Sequence, residues 1–254
     1  MDNDFLQFVD RANVRPVARQ EGRNLLMRFD MDTVQSSMNL DDPCGLELEY
    51  TRAMTLFLLF RPAPQHILMI GLGGGSLARY CHHYLPETTM TVVEINPHVI
   101  ALRDEFLVPP DGPRFRVLQA DGAAFVRRTP QRFDVILVDG FHFDGQPEAL
   151  GTLDFYDACR ARLMQGGVVV VNMDGEAAIC GPLLGRLNQA FDGGVTSILP
   201  EGGSNRVAFA ASVPILRSVL HTSRDRLQAL DAVHRQTLSR RSGHGLAWPP
   251  IVPP

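Results

Sequence analysis

The chain has 254 residues, 45% hydrophobic and 20% charged, with a formal net charge of -4. That length buries a full core as one large domain, or one domain with a small appendage. The charge balance leaves no basic footprint for nucleic acid, and no apolar run approaches the roughly 20 residues that span a bilayer. The start, Met1-Asp2-Asn3-Asp4, is acidic where a secretory leader is basic, so a cytoplasmic location is expected.

Residues 27–48 hold short mixed segments with turn signals at Asn39-Leu-Asp-Asp-Pro43 and Gly45, which read as a small strand-rich piece. Glu47–Phe60 carries Leu48, Ala53, Met54, Phe57 and Leu58 near helical spacing, and Pro62 closes it. From His66 onward, apolar runs at Ile67–Ile70, Thr91–Ile95, Arg116–Gln119, Val135–Val138 and Val168–Asn172 alternate with helix-length segments. Those segments are Ser76–Tyr84, Pro97–Glu105, Gly122–Arg127 and Leu153–Leu163. Continuous Val/Ile/Leu strands imply burial on both faces, hence a doubly wound, mostly parallel α/β sheet of Rossmann type. Val195–Leu199 and Arg206–Ala211, separated by Gly202-Gly203-Ser204-Asn205, predict a closing antiparallel hairpin at the sheet edge. A polar helix over Arg224–Ser239 follows, and the Pro-rich tail Arg240–Pro254 reads as mobile or laid over the surface. The expected division is a strand-rich segment and helix over 1–62, a nucleoside-binding domain over 63–215, and a C-terminal helix and tail over 216–254.

Cys44, Cys81, Cys159 and Cys180 are scattered, with no Cys-x-x-Cys pair, so no structural metal is expected. Cys81-His82-His83 resembles a metal patch, but adjacent helical residues point in different directions.

The stretch Ile67-Leu-Met-Ile-Gly-Leu-Gly-Gly-Gly-Ser-Leu77 sets Gly71, Gly73, Gly74 and Gly75 where the first long strand meets its helix. Missing Cβ atoms permit a tight turn and close approach of a ligand to the backbone, and Ser76 is the expected N-cap. Glu94 ends the second strand about twenty residues on, where a carboxylate accepts from ribose hydroxyls. Asp121, followed by Gly122, ends the third; it suits an adenine amino group, or it simply caps the next helix. A Gly-x-x-x-x-Gly-Lys-Ser/Thr phosphate loop is absent. Loop and acids together suit a nucleoside with no required diphosphate, so S-adenosylmethionine or a relative fits better than NAD. The fourth strand delivers Asp139 to the same rim, in Phe133-Asp-Val-Ile-Leu-Val-Asp139-Gly-Phe-His-Phe-Asp144.

With Asp154-Phe-Tyr156 and Leu163-Met-Gln-Gly-Gly-Val168, these segments resemble the spermidine synthase family, aminopropyltransferases on the class I S-adenosylmethionine methyltransferase fold. The resemblance covers most of residues 63–175. It implies that Glu94 holds the ribose, that Asp121 and Gly122 hold the adenine, and that Asp139 helps deprotonate an attacking amine. It implies cofactor contacts from Gln35 and the glycine loop, substrate contacts from Tyr50 and Asp144, a small-molecule amine partner, and a homodimer. The co-substrate would be S-adenosylmethionine or its decarboxylated form.

Departures stand beside the matches. The family's loop carries an Asp where Gly74 stands, and a Tyr-His pair where Tyr50-Thr51 stands. Its Asp-Ser-Ser-Asp-Pro loop has become Asp139-Gly-Phe-His-Phe-Asp144, with Phe141 and Phe143 giving a more apolar rim and His142 either a base or a surface residue. An ordinary methyltransferase and a non-catalytic nucleoside-binding homologue are the competing readings.

Overall fold

A computed structural model of the chain describes residues 11–29, 34–142, 145–200 and 203–239. The strand-rich start is a three-stranded antiparallel sheet of β1 (Val17–Glu21), β2 (Asn24–Arg28) and β3 (Val34–Asn39). It begins ten residues earlier than the turn signals suggested, at an edge strand that is mostly exposed. Gly22, with φ +61°, makes the tight turn between β1 and β2.

The helix expected over Glu47–Phe60 is one α-helical turn and a half, α1 (Glu49–Met54), tightening into a 3₁₀ segment over Thr55–Leu59. Leu56, Phe57, Leu58 and Leu59 are all buried. An apolar run with no polar face must be buried on every side, and 3₁₀ turns are common where an α-helix ends; here the run serves as a plug in the core.

The main sheet has seven strands in the order β6-β5-β4-β7-β8-β10-β9. These are β4 (His66–Ile70), β5 (Thr89–Glu94), β6 (Phe115–Gln119), β7 (Phe133–Val138), β8 (Leu163–Asp174), β9 (Val195–Ile198) and β10 (Asn205–Ala210). The strands from β4 to β8 are parallel, as their doubly buried sequences require. The closing hairpin forms, with β10 antiparallel to both β8 and β9, so β9 rather than β10 takes the edge.

Side chains alternate between the faces. Ile67 and Met69 join a core with α2 (Ser76–Tyr84), α3 (Pro97–Ala101), Met27 and Met38 of the small sheet, and Leu216 and Val219 of α7 (Val213–His221). Leu68 and Ile70 join the opposite core with α4 (Gly122–Arg128), α5 (Leu153–Ala161) and α6 (Ala177–Ala190). Helix α6 carries Gly181, Pro182 and Gly185, which lower its intrinsic helix propensity, and it buries Cys180, Leu187 and Ala190. The polar helix expected over Arg224–Ser239 is two, α8 (Ser223–Ala229) and α9 (Ala232–Ser239), separated where Leu230 turns inward to burial. The tail from Arg240 lies outside the described residues.

Strand order decides where a ligand can sit. From β4 the chain steps outward to β5 and β6, then returns to the other side of β4 with β7. A crevice therefore opens at the carboxyl ends of β4 and β7. The tips of β6, β5, β4 and β7 stand side by side there, spanning about 14 Å at about 4.8 Å per strand.

Candidate active site

The crevice runs along those tips. Asp121, Gly122, Glu94, Gly71, Gly73 and Asp139 all line it, and Gln35 and Tyr50 close it from the N-terminal side. Thus four strands and two upstream elements bring together residues scattered from 35 to 139 in the sequence. Asp144 lies outside the described residues. Gly74 and Gly75 lie outside the residues that border the crevice.

Gly71, Gly74 and Gly75 each face a different close neighbour, and Gly73 faces none within 4 Å. A Cβ at Gly71 (φ +92°) would stand 2.2 Å from the main-chain oxygen of Asp139, so the β4 and β7 tips touch backbone to backbone. At Gly74 it would meet Ser36 Oγ at 2.6 Å and Phe106 Cδ1 at 2.9 Å, and at Gly75 the Val108 side chain at 2.4 Å. These two glycines make room for the protein's own β3 and for the segment after α3. Only Gly73 (φ +51°) combines a left-handed backbone with open space before it and a place on the crevice wall. Gly75, also left-handed, takes the cap position of α2, and Ser76 is the first helical residue instead of the cap. Arg79, buried on α2, reinforces the loop from behind by donating to the carbonyls of Gly74, Phe106 and Pro43.

Glu94 is 8% exposed and its carboxylate is shared. Oε2 accepts from the Leu72 N–H at 2.8 Å, inside the glycine loop, and Oε1 accepts from the Asn96 N–H at 2.8 Å. Burial pushes the carboxyl above its usual range, and the N–H groups of Asn96, Leu72, Ile95 and Gly73 draw it back. Each oxygen keeps lone-pair capacity for a hydroxyl donor from the crevice. The end of an apolar strand marks this acid in the sequence; its grip on the loop depends on the fold.

Asp121 takes the capping role: Oδ1 accepts from the Ala124 N–H at 2.7 Å at the start of α4. It is exposed and still borders the crevice. Gly122 is required by packing, since a Cβ would stand 2.4 Å from Ile70 Cγ2.

Asp139 is half-buried at the β7 tip. Burial is the main cause that pushes its carboxyl from 3.8 up to about 7; Asn172 counters by donating a hydrogen bond, and the charge of Glu94 raises it further. Tyr50, on α1, has its phenol pushed up by burial and by the nearby Asp139. Thr51 Oγ1 donates to the Leu48 carbonyl at 2.6 Å, so that hydroxyl is spent on the start of its own helix. His142 borders the crevice, and its main chain bridges to Gly145. Cys81, His82 and His83 diverge as expected: Cys81 enters the core, His82 packs on Phe115, and His83 packs on Tyr84.

The model of the spermine/spermidine synthase domain matches residues 47–178. The polyamine aminopropyltransferase of Neisseria meningitidis serogroup A is 42% identical over 193 residues, covering 75% of this chain and 73% of that protein. That of Chromobacterium violaceum is 40% identical over 210 residues, covering 79% and 80%. Among solved structures, a probable spermidine synthase from Corynebacterium glutamicum shares the fold with a TM-score of 0.67 at 20% identity, covering 94% of this chain and 95% of that one. With identity at this level over most of both chains, and with the family's motifs converging on one crevice, the chain belongs to the spermine/spermidine synthase family.

Proposed function

We infer that the chain transfers an aminopropyl group from decarboxylated S-adenosylmethionine to a small amine. One observation carries the assignment: Asp139 meets the glycine loop backbone to backbone, with a carboxyl pushed up to about 7. A protonated alkylamine titrates near 10. A carboxyl near 7 is a better matched acceptor for its proton than one near 4, and it is still ionised in part at neutral pH.

The crevice suits the donor. Glu94 receives the ribose hydroxyls, Asp121 and Gly122 border the adenine, and Gly73 leaves the wall bare where the nucleoside lies against it. Gln35 covers the loop, and Tyr50 stands opposite Asp139 on the acceptor side. The amine nitrogen attacks the methylene carbon beside the sulfonium. The carbon–sulfur bond breaks toward sulfur, neutral methylthioadenosine leaves, and the proton lost by nitrogen passes to Asp139. The sulfonium supplies the reactive bond, so the residues contribute alignment and proton transfer.

The test is release of methylthioadenosine from decarboxylated S-adenosylmethionine with 1,4-diaminobutane as probe, run beside intact S-adenosylmethionine. Turnover of the decarboxylated donor, reduced at least 100-fold by Asp139→Asn, supports the reading. Methyl transfer from the intact donor with no aminopropyl transfer would overturn it.

A further inference from the structure

Asn172 sits near the end of β8, one residue past Val171, which pairs with Val138 of β7. That register sets Asn172 beside Asp139, and its Nδ2 donates to Asp139 Oδ1 at 2.8 Å. Asn172 is 2% exposed and does not border the crevice. Its neighbours along the same face of the strand, Val168 and Val170, are wholly buried and apolar. Its own Oδ1 is buried with no hydrogen-bond partner among the described residues. A half-satisfied amide in an apolar strand costs stability relative to valine. Packing gives no reason for it, whereas the bond to Asp139 does.

We propose that Asn172 is a positioning residue: it fixes the Asp139 carboxylate at the crevice and favours its ionised, proton-accepting form. This rests on the reading of Asp139 as the proton acceptor. The other groups around Asp139 do not substitute for it. Burial of Asp139 itself and the charge of Glu94, from β5, both oppose ionisation; Tyr50 of α1 is near enough for Asp139 to push its phenol up, and His142, in the loop after β7, borders the same crevice. The Asn172 amide is the side-chain donor that lowers the Asp139 carboxyl.

The experiment follows kcat for methylthioadenosine release from decarboxylated S-adenosylmethionine and 1,4-diaminobutane between pH 6 and 9. Asn172→Ala removes the donor, so the midpoint of the acid limb moves up by about one pH unit, the scale of one hydrogen bond to a charged group. Asn172→Leu keeps a similar volume and also lacks the donor, so its midpoint moves up by a similar amount. KM for the donor stays within twofold in both, because Asn172 does not line the crevice. An acid limb that superimposes on the parent's in either folded variant overturns the proposal, and Asn172→Leu decides if Asn172→Ala does not fold. Asp139→Asn runs alongside. Parental activity there would remove the reading of Asp139 itself, whereas an inactive Asp139→Asn with an unmoved Asn172→Ala limb would remove only the role of Asn172.

Discussion

Replacing Asp139 with asparagine should make the protein more stable, and increasingly so as pH rises. The folded state lifts this carboxyl from 3.8 to about 7. A carboxyl raised in the folded state holds its proton more tightly there. The stability it contributes is fully present below about 4, and is lost as pH climbs through 7. Asparagine never ionises, and it keeps an oxygen to accept from Asn172, so the variant escapes that loss. Linkage places the cost of Asp139 at about 2 kcal/mol at pH 5 and about 4 kcal/mol at pH 8, a growth of roughly 2 to 3 kcal/mol. Water in the crevice screens a half-buried group, so a growth of about 1 kcal/mol is the least the argument tolerates. Urea unfolding of parent and variant at both pH values measures it directly. A stability difference that is the same at pH 5 and pH 8 would refute the reasoning, because it would mean that Asp139 ionises in the fold as it does in the unfolded chain.

Glycine substitutions should separate the two uses of the loop. Gly73→Ala puts a methyl into the crevice at a left-handed position, so methylthioadenosine binding should weaken at least tenfold by calorimetry, while stability falls by only about 1–2 kcal/mol. Gly74→Ala drives a methyl into Ser36 and Phe106, and should cost about 1–3 kcal/mol of overpacking, read as a lower Tm, before any direct effect on the ligand. The reverse pattern would undo the assignment of Gly73 to the ligand wall. Glu94→Ala should abolish nucleoside binding in the same titration and also lower Tm, since the Leu72 and Asn96 N–H groups are left unpaired at about 1–3 kcal/mol each.

The parts of the fold legible in the sequence are those where one local rule had no competitor. Val135–Val138 and Val168–Val171 have no polar face, and only a strand covered on both sides satisfies them. The helices went astray where local rules conflict. Residues 177–190 offer two glycines and a proline against a modest apolar stripe, and α6 exists because Cys180, Leu187 and Ala190 find a core to enter. Leu56–Leu59 is apolar on every side, so its period carries no signal, and all four side chains are buried. At the C-terminus, Leu230 looks like any leucine of an amphipathic run; its burial is what divides α8 from α9.

The acids of the site were legible for a different reason: a carboxylate at the end of an apolar strand needs partners, and strand order says where those partners are. Glu94 and Asp139 follow from that argument, as does their nearness, since β5 and β7 flank β4. The glycine loop was legible only as a whole. Its members look equivalent in sequence, yet their neighbours come from Ser36, Phe106, Val108 and Asp139, all distant along the chain. Asn172 was hidden by the same limitation, for its value depends on the register of β8 against β7. Its one local signal was a lone amide closing four consecutive valines. Such a residue is costly where it stands, and so is a carboxyl held near 7. Two adjacent costs joined by one hydrogen bond are hard to explain as packing, and easier to explain as a proton acceptor kept tunable at the edge of a crevice.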